Sequence, residues 1–552
     1  MTLTRLAGGT VYDPANGVDG AVRDLWVRHG RVVAGPDPGE LPTRTFDLSG
    51  LVVMPGGIDM HAHIAGPKVN VARRLRPEDR RDAGPFRRTS ALRSGTLGST
   101  PTTFATGYLY AGLGYTTVFD AAIPPLGARH THEEFHDTPV IDKGFFVLVG
   151  NNHYVMDQIR ANEPERLRGF LGWLLHATRG YALKVVNPGG VEAWKQGVTG
   201  MTGLDDAVTG FEVTGRQIVR AVAAAADDLG LPHAVHVHCN RLGMPGNWAT
   251  TLDTMRAVEG RRGHFTHVQF HSYGGEDQAG FRSEVPALAD YVNTHPNVTV
   301  DVGQVLFGET TSMTGDGPLG HFLHRVTGRK WFNGDTECEA GCGVVPITYR
   351  EKSAVHALQW AVGLEWYLLV KNPWQVAMST DHPNGGSFRA YPEIIALLMS
   401  RDRRREVLER LPAKVRERCT LPDLTREYTL GEIAIVTRAG PARMLGLTNK
   451  GHLGAGADAD VTVYTPQADI QSMFQLPRFV FKAGVLVVEQ GEIRLAPVGP
   501  THVVEPGYDA GVVPGIEQWF NGHYSVRFGN YPVTDDYLPH GMVAHPSRTV
   551  TR

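Results

Sequence analysis

An apolar run, Leu51-Val52-Val53-Met54-Pro55-Gly56-Gly57-Ile58, ends in Asp59-Met60-His61-Ala62-His63. The run reads as a buried strand, apolar on both of its faces. His61 and His63 close it two residues apart, so they share a face at about 6.6 Å, from a rise of about 3.3 Å per residue. Two imidazoles so placed reach one metal ion through bonds of about 2.0–2.1 Å. The competing reading is a pair of interior histidines hydrogen-bonded to their neighbours.

Seven further strand-like stretches follow, at residues 115–120, 145–150, 181–186, 234–238, 264–271, 297–302 and 375–381, with helical patterns such as 216–223 between several of them. Eight strands alternating with helices predict an α/β fold, a (β/α)8 TIM-like barrel. Short strands recur at both ends of the chain, at 10–14, 24–27 and 30–33 and again at 460–464 and 479–488. They predict a small β-sandwich domain built from both termini. The expected division is residues 1–52 and 441–500 for that domain, 53–440 for the barrel, and 501–552 for a docking tail carrying Trp519, Phe520, Tyr524, Phe528, Tyr531 and Tyr537. Two connections, 64–106 and 306–350, are far longer than ordinary βα loops. Loops after barrel strands lie on the reactive face, which makes both candidate substrate covers.

The net charge of −3 provides no basic field for nucleic acid or an anionic membrane. The amino terminus does not read as a signal peptide, and no apolar run approaches the roughly 20 residues that span a bilayer. Four cysteines are too few and too scattered for a disulfide framework and fit a reducing cytoplasm. Cys338 and Cys342, in Glu337-Cys338-Glu339-Ala340-Gly341-Cys342-Gly343, read as structural or loop residues rather than ligands.

Other candidate ligands also fall at strand ends. Lys184 sits inside Leu183-Lys184-Val185-Val186, where burial lowers an amine's pKa. A neutral amine adds carbon dioxide, and the carbamate is a two-oxygen anion able to bridge two ions. The fifth strand offers His236 and His238, the sixth His264, His267 and His271. The last of each set, His238 and His271, are the expected ligands, with His236 and His267 as the alternatives; His233 and His264 read as ordinary polar side chains. Asp381, in Ser379-Thr380-Asp381-His382, can bind a metal with one oxygen and accept a proton with the other, as a general base requires. His382 faces the other side of its strand. The predicted centre is His61, His63, Lys184, His238, His271 and Asp381 around two ions, a nitrogen and oxygen set that suits zinc and leaves manganese, iron and nickel open.

This pattern resembles the metal-dependent amidohydrolase superfamily, in the branch with a carboxylated lysine, as do Pro441-Ala442-Arg443-Met444-Leu445-Gly446-Leu447 and Gly451-His452-Leu453-Gly454-Ala455-Gly456-Ala457-Asp458-Ala459-Asp460. Three longer phrases, Lys184-Val185-Val186-Asn187-Pro188-Gly189-Gly190, His236-Val237-His238-Cys239-Asn240 and His267-Val268-Gln269-Phe270-His271-Ser272-Tyr273-Gly274, are more specific, as is the Glu337–Val344 stretch. They are similar to the hydrolytic-subunit family of formylmethanofuran dehydrogenases and bacterial formyltransferase/hydrolase complexes. The resemblance implies a binuclear zinc site with carboxylated Lys184 that hydrolyses the linear formamide C–N bond of formylmethanofuran to formate and methanofuran. It also implies partner subunits, either a formyltransferase or a molybdenum or tungsten dehydrogenase component. The arginine-rich, lysine-poor composition leans toward the bacterial setting. The rival readings are a cyclic-amide hydrolase of the hydantoinase or dihydropyrimidinase kind and a noncatalytic scaffold.

Overall fold

Eight parallel strands form the centre of the computed structural model, which describes residues 3–80, 86–198, 202–277, 279–336 and 340–548. They are β1 (Gly57–Ala62), β2 (Tyr115–Ile123), β3 (Asp142–Leu148), β4 (Ala182–Val186), β5 (Val235–His238), β6 (Gly263–Phe265), β7 (Val298–Asp301) and β8 (Val376–Ala377). Each pairs in parallel with the next. Every residue of β2, β3 and β4 is buried, as a strand with helices outside and a packed interior inside must be. The ring is closed between β8 and β1 by a single parallel bridge, Ala62 to His382, reinforced by His63 N–H donating to the His382 carbonyl at 2.7 Å. The outer helices carry their own stop and start signals. The helix Gly215–Asp228, expected from the 216–223 pattern, opens with a reciprocal capping box between Thr214 and Gln217.

Two strands are shorter than the sequence suggests. β6 stops at Phe265 and gives way to a 3-10 turn, Val268–His271. His267 takes a left-handed backbone with φ 38°, which lets its N–H donate to the Asp301 carboxylate at 3.1 Å. β8 stops at Ala377, and Asp381 is also left-handed at φ 51°. Such angles in non-glycine residues cost of order 1–3 kcal/mol and persist where surrounding contacts fix them. Here they turn the His267 and Asp381 side chains toward the barrel mouth.

The terminal segments build a nine-stranded sheet, in which Val52–Pro55 lies between Leu3–Asp13 and Val461–Tyr464. Arg44–Asp47 pairs with Leu3–Asp13, yet its Phe46 ring meets Phe481 at 5.0 Å from the far side of the sheet. The sheet therefore folds over its own apolar core of Leu6, Val11, Val53, Val461 and Phe481. It is tied to the barrel floor by a buried ionic cluster. Lys450 and Lys482 each reach both Asp142, at the start of β3, and Asp460 over 2.5–2.9 Å.

In the tail, Thr501–Val504 and Met542–His545 add two strands beside β3. The tail's aromatics pack on the body: Phe528 stacks on Trp173 at 4.8 Å, and Phe520 and Tyr531 are buried. The 306–350 connection is a lobe of its own, with an antiparallel sheet of Gly308–Thr314, Phe332–Thr336 and Ala340–Tyr349 and a helix, Gly317–Thr327. Cys342 lies on the last of these strands, and Cys338 lies outside the described residues. The 64–106 connection contributes the helix Pro67–Leu75, whose Val69 and Ala72 pack against Met313 and Val344 of the lobe.

Candidate metal centre

At the end of β1, His61 and His63 point their Nε2 atoms at one oxygen of Asp381, 3.1 and 3.0 Å away. Ligand atoms about 2.0–2.1 Å from a shared ion stand about 3.0–3.4 Å apart at right-angled to tetrahedral geometry. The three side chains are almost wholly buried. Burial alone would raise the Asp381 pKa, but the facing His61 and His267 rings hold it well below the usual carboxylate range.

A second group forms at the ends of β5 and β6. His238, His267 and His271 each offer a nitrogen within 4.8 Å of the others'. The His238 ring stands across His267 at 4.6 Å and across His271 at 5.3 Å, and His267 is 5.3 Å from His61, so it links the two groups. The two groups thus hold five of the six expected residues, His61, His63, His238, His271 and Asp381, with Lys184 lining the same cavity, and they add His267, the alternative for the sixth strand. Four-residue spacing across the 3-10 turn puts both β6-end rings over the mouth, which a continuous strand would not do. The fifth-strand alternative, His236, falls in a third such group, with His61 and Asp301, and does not line the cavity. Its Nε2 is 3.1 Å from His61 Nδ1 and its Nδ1 3.0 Å from His233, which in turn meets the Met444 carbonyl. His382 packs edge-on against Phe388 and joins neither group.

Lys184 lies at the cavity floor, fully buried, its Nζ without a hydrogen-bond partner among the described residues. Burial lowers its pKa to about 7, against the pull of Asp301 and Asp381. His267 Nδ1 and both nitrogens of His271 are likewise buried without hydrogen-bond partners among the described residues. Each such orphan costs about 1–3 kcal/mol. So many buried donor atoms converging on one small volume fit a cation-binding site: the donor set is imidazole and carboxylate, with a buried amine of lowered pKa beside it.

Carboxylates behind the histidines fix their rings. Asp301, at the end of β7, lies 3.2 Å from His61 Nδ1 and accepts from His264 Nε2 at 3.0 Å and from Ser379 Oγ at 2.6 Å. Burial would raise its pKa, but His61 and His264 hold it well below the usual range. Asp120, on β2, stands 3.6 Å from His63 Nδ1 and accepts from the Ile64 and Ala65 N–H groups. Such partners set which nitrogen is free to bind. Sequence reading missed both, although a lone charged residue in Val300-Asp301-Val302 and in Phe119-Asp120-Ala121 is the signal that marked Lys184.

The site opens into a cavity of about 600 Å³. His61, His63, Lys184, His238, His267 and Asp381 form its floor, while Phe270, Phe281 and, from the inserted lobe, Leu319, Phe322 and Ile347 form apolar walls. Among the described residues, none of the 64–106 connection lines it; the helix Pro67–Leu75 supports the lobe instead.

The sequence profile of the amidohydrolase family matches residues 44–488. Protein FwdA of Methanocaldococcus jannaschii is 45% identical over 96% of this chain and 97% of its own length. A subunit of the formyltransferase/hydrolase complex Fhc of Methylorubrum extorquens is 40% identical over 97% of each. A solved structure of that organism's FhcABCD complex with methylofuran contains a chain superposing with a TM-score of 0.94 at 38% identity, over 99% of this chain and all of that one. Dihydropyrimidinase of Brevibacillus agri, with a TM-score of 0.50 at 14% identity over 92% of this chain and all of that one, shares the fold.

Proposed function

The chain belongs to the amidohydrolase family, a family of metal-dependent enzymes, and from that premise we propose that it hydrolyses the formyl–nitrogen bond of formylmethanofuran or a close variant, releasing formate and the amine. The observation that carries this reading is end-to-end similarity, inserted lobe included, to a hydrolase-complex protein solved with methylofuran. The buried histidine–aspartate floor under an apolar, lobe-covered cavity supplies the matching chemistry.

His61, His63 and Asp381 would hold one cation and His238, His267 and His271 a second, and Lys184 would add oxygen ligands as its carbamate; the donor set suits zinc. Bound there, such ions supply Lewis acidity and a water whose pKa falls to about 7. The chain's own residues do the rest. Asp381 accepts the proton of the attacking water as its oxygen bonds to the formyl carbon. The carbon–nitrogen bond then breaks, and Asp381 delivers the proton to the departing amine. Asp301 and Asp120 keep the His61 and His63 rings oriented while charge moves. The apolar walls exclude bulk water and receive the amine's body.

In this reading the chain works as one member of a cytoplasmic multisubunit assembly in which a formyltransferase shares the formyl carrier. Among the described residues, no helix is long and apolar enough to cross a membrane. Purified protein is assayed for formate release from N-formylated furfurylamine derivatives and for ring opening of hydantoin and dihydrouracil. Formate from the formamide with no ring opening is expected. Ring opening alone supports a cyclic-amide hydrolase, and a chain that binds no metal and turns over neither substrate supports a scaffold.

A further inference from the structure

Three of the histidines at the cavity floor have one ring nitrogen turned to a carboxylate. For His61 and His63 the carboxylates, Asp301 and Asp120, belong to barrel strands. For His238 the carboxylate comes from the inserted lobe: Asp316 Oδ2 lies 3.3 Å from His238 Nε2. Asp316 is fully buried, and neither of these two atoms has a hydrogen-bond partner elsewhere among the described residues. The other Asp316 oxygen is held, accepting from Asn187 Nδ2 at 3.1 Å and from the Leu319 N–H that it caps at 3.3 Å. Asn187 is itself fixed, its N–H on the His238 carbonyl and its Oδ1 on Asn240 Nδ2 at 2.9 Å. Asp316 does not line the cavity although His238 does, so the carboxylate stands behind the ring and not beside the substrate.

We propose that Asp316 is a positioning residue that holds His238 with its proton on Nε2 and so presents Nδ1 to the second cation. The inference rests on the two-cation reading above. A neutral imidazole has one N–H and one lone pair; with Nε2–H directed at Asp316, the lone pair is on Nδ1. The inserted lobe thereby contributes to the centre as well as to the cavity wall. Seating the lobe on the barrel and retaining the second ion become linked, because the lobe carries the carboxylate.

The test uses the full-length protein loaded with zinc, metal counted by mass spectrometry and affinity read by chelator competition. The variants are Asp316→Asn and Asp316→Ser. Asparagine keeps the oxygen that caps Leu319 and accepts from Asn187 but turns an NH2 donor toward His238, favouring the opposite tautomer. Serine keeps a capping hydroxyl and removes the reach to the ring. Wild type should bind two ions. Each variant should hold one at wild-type affinity and the other roughly 10–100-fold more weakly, with the metal-free melting temperature of Asp316→Asn unchanged, and Asp316→Glu should recover part of the loss. Two ions at wild-type affinity in both variants, equal weakening of both ions, or failure of both metal-free variants to fold would each overturn the positioning role. A wild-type chain that binds no ion would instead sink the two-cation reading itself.

Discussion

Replacing Asp381 by asparagine separates the two roles the geometry gives this side chain. One Asp381 oxygen stands 3.1 and 3.0 Å from His61 and His63 Nε2. Asparagine is the same size and keeps an oxygen that can occupy that position, so bound metal should stay within about twofold of wild type. What the amide cannot do is accept the water's proton. A positioned general base is worth about 10²–10⁴ in rate, or roughly 2.7–5.5 kcal/mol of barrier at 1.36 kcal/mol per tenfold. The expected result is a fall of about 10²–10⁴ in kcat with little change in KM, because Asp381 lies at the floor and the apolar walls that receive the amine are untouched. Formate release followed over a range of substrate concentrations, with metal counted on the same preparation, makes the measurement. A variant that keeps its metal and turns over within about threefold of wild type would refute the proton path. Loss of both metal and turnover would make Asp381 chiefly a ligand.

Three other changes probe separate parts of the structure. Lys184→Ala removes the amine on which a carbamate forms; metal affinity should fall at least tenfold, on the order of what loss of a ligand's support costs, and a full complement of ions in that variant would exclude the carbamate. Asp301→Asn keeps one oxygen for Ser379 and the His267 N–H but turns an NH2 toward His264 and His61 and removes the charge; breaking one side of such a buried charged network costs about 3–5 kcal/mol, and a denaturant-midpoint change equivalent to less than about 1 kcal/mol would show the network to be dispensable. His132 is buried, with one ring nitrogen on the Thr178 carbonyl, and burial lowers its pKa to about 4. The unfolded chain takes up a proton near 6.5 that the folded chain excludes until about 4. His132 should therefore cost stability progressively as pH falls from 6.5 toward 4, and His132→Gln should flatten the stability profile across that window. A profile of unchanged slope would contradict the assignment.

The barrel was legible because its strands are buried on both faces and so read as apolar runs, in which Lys184 stands out; His61, His63 and Asp381 were marked by their places at strand ends. What the sequence concealed depends on departures from the strand. A period-two reading of residues 264–271 places His267 and His271 on one extended face, whereas the left-handed backbone at His267 curls both back over the mouth. That curl is set by Asp301, which is 34 residues away in the chain. Asp120 and Asp301 carried the same local signal as Lys184, yet a carboxylate in a strand does not announce which ring it will orient. Asp316 is less visible still. It lies in a glycine-rich stretch, Gly315-Asp316-Gly317, and meets His238 only because the lobe folds back across the barrel.

Diffraction from crystals of the zinc-loaded protein, recorded on either side of the zinc absorption edge, tests the metal centre most directly. Two anomalous peaks are expected at the cavity floor, one among His61, His63 and Asp381, the other among the β5- and β6-end histidines, with extra density on Lys184 Nζ reaching both. An ion-free floor in protein that still releases formate, or a Lys184 ammonium paired to a carboxylate in place of the carbamate, would contradict it.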